Sequence, residues 1–198
     1  MLYRLTAIAL GCTALAACPM DPVPKDVFFE QILEHCGKAY EGKLVSTDEV
    51  DAGFRAERIV MHVRDCNAEE IRIPLHVGED HSRTWVITRE HGSDRDTPLR
   101  LKHDHRHEDG SADDVTLYGG DTVEEGEFTR QEFPADDYSK AMFEANGIGV
   151  SSQNTWAMEF DPDTEIFAYE MSRPNRFFRI EFDLSTPIET PPAPWGAE

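Results

Sequence analysis

The feature that most constrains the fold is a recurring alternation of apolar and polar residues with a period of two. It runs through Glu57–Arg64 (Ile59, Met61, Val63), Glu70–Val77 (Ile71, Ile73, Leu75, Val77), Thr84–Glu90 (Trp85, Ile87) and Pro98–His107 (Leu99, Leu101). It returns in Thr155–Phe160 (Trp156, Met158, Phe160), Glu165–Ser172 (Phe167, Tyr169, Met171) and Phe177–Leu184 (Phe178, Ile180, Phe182, Leu184). Such spacing turns one side of each run inward and the other to solvent, the mark of half-buried strands. Turn residues punctuate the runs at Asp65–Ala68, Asp109-Gly110, Asp161–Asp163 and Arg173-Pro174-Asn175.

With shorter strands at Gly42–Val45 and Gly126–Phe133, the count is about eight to ten antiparallel strands joined mostly by short turns. This predicts a mainly β fold, an antiparallel meander barrel or strongly curved sheet. It resembles the lipocalins in outline only, since no lipocalin signature stands near the first strand. A β-sandwich is the alternative. Two helices accompany the strands. Asp26–Tyr40 carries Phe28, Phe29, Ile32, Leu33 and Cys36 at helical spacing, with Asp26 as cap and Gly37 as stop. Ala135–Ala145 is a short inserted helix carrying Tyr138, Met142 and Phe143.

Chemistry is most concentrated in Pro98–Asp121, PLRLKHDHRHEDGSADDVTLYGGD. His103, His105 and His107 share the parity of Leu99 and Leu101, so they point toward or along the rim of the apolar side. Glu108–Asp114 is a polar turn, and Asp114–Tyr118 is expected to return as the second arm of a hairpin. That pairing sets Trp85 opposite His103 or His105, and Val115 and Leu117 opposite His107 and His105. One reading makes the trio a zinc or copper site, since imidazole suits both ions. Neighbouring histidines on a strand lie about 6.6 Å apart and can share an ion; residues four apart lie about 13 Å apart and cannot without a bend. Glu108, His81 or His91 is the expected source of a further ligand. The other reading makes them rim histidines bonded to the acidic turn and stacked on Trp85. Burial lowers a histidine pKa and nearby carboxylates raise it, so the sequence leaves the sign of any shift open. Gly119-Gly120 marks a bulge or sharp bend.

The chain begins MLYRLTAIALGCTALAAC. Arg4 precedes an apolar stretch too short to span a bilayer, ending in Leu15-Ala16-Ala17-Cys18. This segment resembles the lipobox of bacterial lipoproteins. The resemblance implies cleavage before Cys18, diacylglyceryl transfer to its thiol and acylation of the new amino terminus, giving a membrane anchor. Residues 1–17 are then the signal peptide, 18–25 the lipidated Cys and a stiff tether, and 26–184 a single β-rich domain. Residues 185–198 are a Pro-rich tail expected to be disordered. Pro19 directly follows the anchor where retention in the inner membrane is associated with Asp, so the expectation is the periplasmic side of the outer membrane. The body also resembles small uncharacterised secreted proteins of Gram-negative bacteria.

The formal net charge is −20. It argues against nucleic acid or anionic lipid as a partner. Cys12 leaves with the signal and Cys18 carries lipid, so Cys36 and Cys66 form an even pair in an oxidising compartment, and a disulfide is expected. Closing that loop is worth roughly 3–4 kcal/mol in the chain-entropy model. There is no C-x-x-C, G-x-S-x-G, H-E-x-x-H, Walker or dinucleotide motif. The leading expectation is a lipid-anchored periplasmic binding or envelope-accessory module without catalysis, with a small-molecule or protein partner. One alternative is a metal-binding protein or metal-dependent enzyme built on the histidine strand. The other is a structural lipoprotein docked to an envelope complex.

Overall fold

The computed structural model describes residues 21–89 and 97–197. The signal segment, Cys18 and His91 lie outside these residues. Among the described residues, eleven strands form one antiparallel sheet. They are β1 (Ala39–Leu44), β2 (Ile59–His62), β3 (Asp65–Cys66), β4 (Glu70–Val77), β5 (Asp80–Thr88), β6 (Arg100–His105), β7 (Tyr118–Asp121), β8 (Arg130–Pro134), β9 (Thr155–Asp161), β10 (Ile166–Arg173) and β11 (Arg176–Asp183). The order across the sheet is β7-β6-β5-β4-β2-β1-β11-β10-β9-β8, with β3 paired only to β4. Each half is a meander, and β11 joins them by pairing antiparallel with β1. The sheet is nearly closed into a barrel.

The inward parity seen in the sequence becomes the core. Ile71, Ile73, Leu75, Trp85, Ile87, Trp156, Met158, Phe167, Ile180 and Phe182 are all buried inside. Gly42 lies opposite Phe182. A Cβ there would sit 2.4 Å from the Phe182 ring, so the missing side chain makes room for the aromatic.

The seam between β7 and β8 is where Gly119-Gly120 matters. Gly119 has φ +151° and a Cβ on it would lie 1.9 Å from the Leu101 carbonyl oxygen; one on Gly120 would lie 1.8 Å from that of Pro134. Only glycine permits this approach. The seam is then stitched by the Asp136 N–H donating to the Gly119 carbonyl at 2.9 Å, and by the Gly119 N–H donating to Ser139 Oγ at 2.8 Å. Asp136 also caps α3 (Asp137–Ala145), accepting from the Ser139 N–H, and pairs with Lys102 of β6.

α1 (Pro24–Leu33) stoppers one end of the barrel. Pro24 opens it at N1, where no intrahelical donor is needed. Phe28, Phe29 and Ile32 are buried, and Phe28 meets Phe160, at the end of β9, edge-on with centroids 5.4 Å apart. The helix is shorter than the expected Asp26–Tyr40. Gly37 turns at φ +81° and Tyr40 is drawn into β1. The Cys36–Cys66 disulfide forms, with Cα atoms 6.2 Å apart, and ties this corner to β3. At the other end lie α2 (Ala52–Ala56), the Arg106–Leu117 loop, and the 3₁₀ turn Gly149–Gln153 that follows α3.

Two further expectations are overturned. The return arm of the hairpin is β7, not Asp114–Tyr118: Tyr118 pairs with His103 and Gly120 with Leu101, while Leu117 turns with φ +56°. The loop bonds to β6 irregularly instead: Thr116 Oγ1 accepts from the His105 N–H, while the Asp113 and Leu117 N–H groups donate to the His105 and His103 carbonyls. The Pro-rich tail is also ordered in residues 185–197. The Ile188 N–H bonds to the Ala39 carbonyl and the Trp195 N–H to the His81 carbonyl. The tail straps the outer face of the sheet, with Pro194 buried.

Candidate functional site

The site forms at the end of the barrel away from α1. Strand parity brings Trp85 (β5), His103 (β6), Trp156 (β9) and Tyr169 (β10) inward, and Trp85 lies directly opposite His103. Trp85 stacks on Tyr169 with centroids 4.3 Å apart, and His103 stacks on Tyr118 at 4.5 Å.

The imidazoles are held as neutral groups. His103 Nδ1 lies 3.0 Å from the Tyr118 carbonyl oxygen. That oxygen can only accept, so Nδ1 carries the hydrogen and Nε2 accepts from the Tyr169 hydroxyl at 2.7 Å. Burial pushes the His103 pKa down to about 3. His105 Nε2 pairs with the Tyr118 hydroxyl at 3.0 Å. Burial, and then the Arg83 charge, lower its pKa to about 4, against the opposing pull of Asp113, Asp80 and Asp104. Burial raises Tyr118 to about 12 and moves Tyr169 upward as well.

Of the three sequence-predicted metal ligands, His103 and His105 both line the cavity and contact Tyr118, while His107 does not join them. Both nitrogens of His103 are committed within the protein, and His107 is exposed beyond the end of β6. Glu108 is exposed too, and His81 is engaged elsewhere, its Nδ1 2.6 Å from His76 Nδ1. Among the described residues, no group of three or more His, Cys, Asp or Glu side chains is placed to hold an ion.

What the site does contain is a cavity of about 320 Å³, open at this end of the barrel. That lies at the small end of ligand pockets, about 300–1,000 Å³. Trp85, Trp156, Tyr169, Phe178, Leu75 and Met171 supply an apolar, largely aromatic lining. Arg83, Arg173 and Arg176 also line it. Arg83 pairs with Asp80 at 2.5 Å, and Arg176 with Asp48 at 2.8 Å and Asp51 at 2.6 Å. Arg173 donates through Nη1 to Asn154 Oδ1 at 2.9 Å and makes no ion pair among the described residues. Asp51 keeps one buried oxygen, Oδ2, without a partner.

These cations escaped the sequence reading, although a signal was present. Arg83 shares the inward parity of Trp85, Arg173 that of Met171, and Arg176 that of Phe178. An arginine at an inward position near a strand end marks a lined mouth rather than a solvated face. Compared with known protein families, curated proteins and solved structures, the chain matches none.

Proposed function

We propose that this protein is a lipid-anchored small-molecule-binding module of the bacterial cell envelope, facing the periplasm. The observation that carries the reading is the aromatic-lined cavity inside the barrel. Inside it the Tyr169 and Tyr118 hydroxyls are hydrogen-bonded to His103 and His105; burial makes these imidazoles poor bases and these phenols poor acids, an arrangement suited to holding a ligand.

The anchor rests on Leu15-Ala16-Ala17-Cys18, and the oxidising compartment agrees with the Cys36–Cys66 disulfide. A short tether from Cys18 leads directly into α1, which stoppers the end of the barrel opposite the cavity mouth. The mouth therefore faces away from the bilayer, toward periplasmic ligands. Two measurements test the reading. Mass spectrometry of the protein purified from Gram-negative membranes should show a chain beginning at acylated Cys18; an unacylated, uncleaved chain rejects the anchor. Titration of the full chain in detergent with 1-aminoanthracene should saturate at one probe per chain and be blocked by Met171→Trp. Absence of saturable binding to the folded chain rejects the receptor.

A further inference from the structure

The cavity's walls and its rim ask for different things from an occupant. The walls are flat aromatic faces: Trp85 and Tyr169 stacked at 21°, with Trp156 beside His103 at 5.0 Å. Both imidazoles at the site are neutral, so the interior offers rings and hydrogen bonds but no cation. Positive charge is confined to Arg83, Arg173 and Arg176 at the mouth. In a chain of net charge −20, that is an uncommon concentration of cations.

The three arginines are not equivalent. Arg83 and Arg176 are neutralised by Asp80, Asp48 and Asp51. Arg173 is not. Its bond to the Asn154 amide oxygen fixes one corner of the guanidinium through Nη1. The Nε–Nη2 edge makes no hydrogen bond among the described residues. That edge is a planar fork of two donors, matched in geometry to a carboxylate. Asn154 itself is buried, so the fork is held rather than free to wander.

Resting on the receptor reading, we propose that the ligand is a small aromatic carboxylate. Its ring lies among Trp85, Trp156 and Tyr169, and its carboxylate pairs with the Nε–Nη2 edge of Arg173. Asp51 sharpens the choice. Its unpartnered buried oxygen repels an anion placed beside it, so the carboxylate must sit on the Arg173 side of the mouth. A hydroxyl on the ring is accepted on the Asp51 side.

The test holds the ring constant and varies the charge. Naphthalene-2-carboxylate, its carboxamide and naphthalen-2-ylmethylammonium are titrated into the full chain in detergent by tryptophan quenching, with calorimetry as a second readout. The expected order is carboxylate at least tenfold tighter than carboxamide, with the ammonium weakest. Arg173→Gln should weaken carboxylate binding at least tenfold more than carboxamide binding and so erase the preference; Arg173→Lys should restore part of it. Equal binding of carboxylate and carboxamide by the wild-type chain overturns this inference while leaving the receptor reading intact. A preference for the ammonium overturns it in favour of Asp51. If no naphthalene binds while 1-aminoanthracene does, this inference falls and the receptor reading stands; if neither binds, both fall. The wild-type series decides the matter even if Arg173→Gln fails to fold.

Discussion

At the scale of single residues, the most informative groups are the histidines. His103 and His105 lie inside the barrel; His76 lies on its outer face beneath the tail, 3% exposed. All three have pKa values pushed below the ordinary 6.5, to about 3, 4 and 4, with burial the largest cause in each case. The unfolded chain binds protons on these groups as the pH falls below 6.5, while the folded chain resists until about 4 or lower. Stability is therefore full above about pH 6.5 and declines progressively toward pH 4 and 3. Urea midpoints measured across that range should fall with acidification, and His103→Gln should flatten the curve. A flat wild-type curve contradicts the buried, neutral assignment. The sequence placed Trp85 opposite His103 or His105, and the structure selects His103. The inward parity of His103 was legible in the sequence. The Tyr169 hydroxyl that completes its hydrogen bonds was not, because it arrives from a distant strand only when the sheet curls round.

At the scale of elements, the seam and the strap are the parts that strand periodicity cannot reveal. Gly119-Gly120 announces a bend, but its purpose is the approach of β7 to Pro134 of β8. Gly120→Ala places a Cβ against a backbone carbonyl and should cost about 2–3 kcal/mol or more, by the usual penalty of overpacking. Chemical denaturation reads that loss directly, and a neutral outcome would mean the seam is looser than described. The tail carries no periodicity and much proline, the pattern of a disordered segment. Its order comes from Pro194 and Trp195 docking on the sheet, and a lone tryptophan among prolines and small residues was the available cue. His76 packs against His81 at 2.6 Å, with Val60, Arg58, Glu79, Glu189 and the prolines Pro191 and Pro192 around the same recess; His62 is the other titratable group that acts on it. Deleting the residues after Ser185 should expose His76 and bring its pKa up toward 6.5, as read by the pH dependence of its NMR shifts. An unmoved value would show that the strap does not bury it.

At the scale of the whole molecule, the barrel is asymmetric. One end is stoppered by α1 and fastened by a disulfide; the other holds the cavity. The Cys36–Cys66 link closes a separation of 30 residues at the stoppered end. Its reduction should lower stability by roughly 2–4 kcal/mol. The 1-aminoanthracene titration should remain intact while the chain stays folded, because the link lies far from the mouth. The mainly β class, most strand positions and the disulfide were readable from periodicity and cysteine count. The cavity was not, since a void arises from which inward side chains fail to meet across a closed sheet.

The most direct test of the account is a crystal structure of the chain with naphthalene-2-carboxylate. The ring should lie between Trp85, Trp156 and Tyr169, with both carboxylate oxygens on the Nε–Nη2 edge of Arg173. A barrel mouth filled by its own side chains, with the ligand absent or lodged on the outer face, would contradict it.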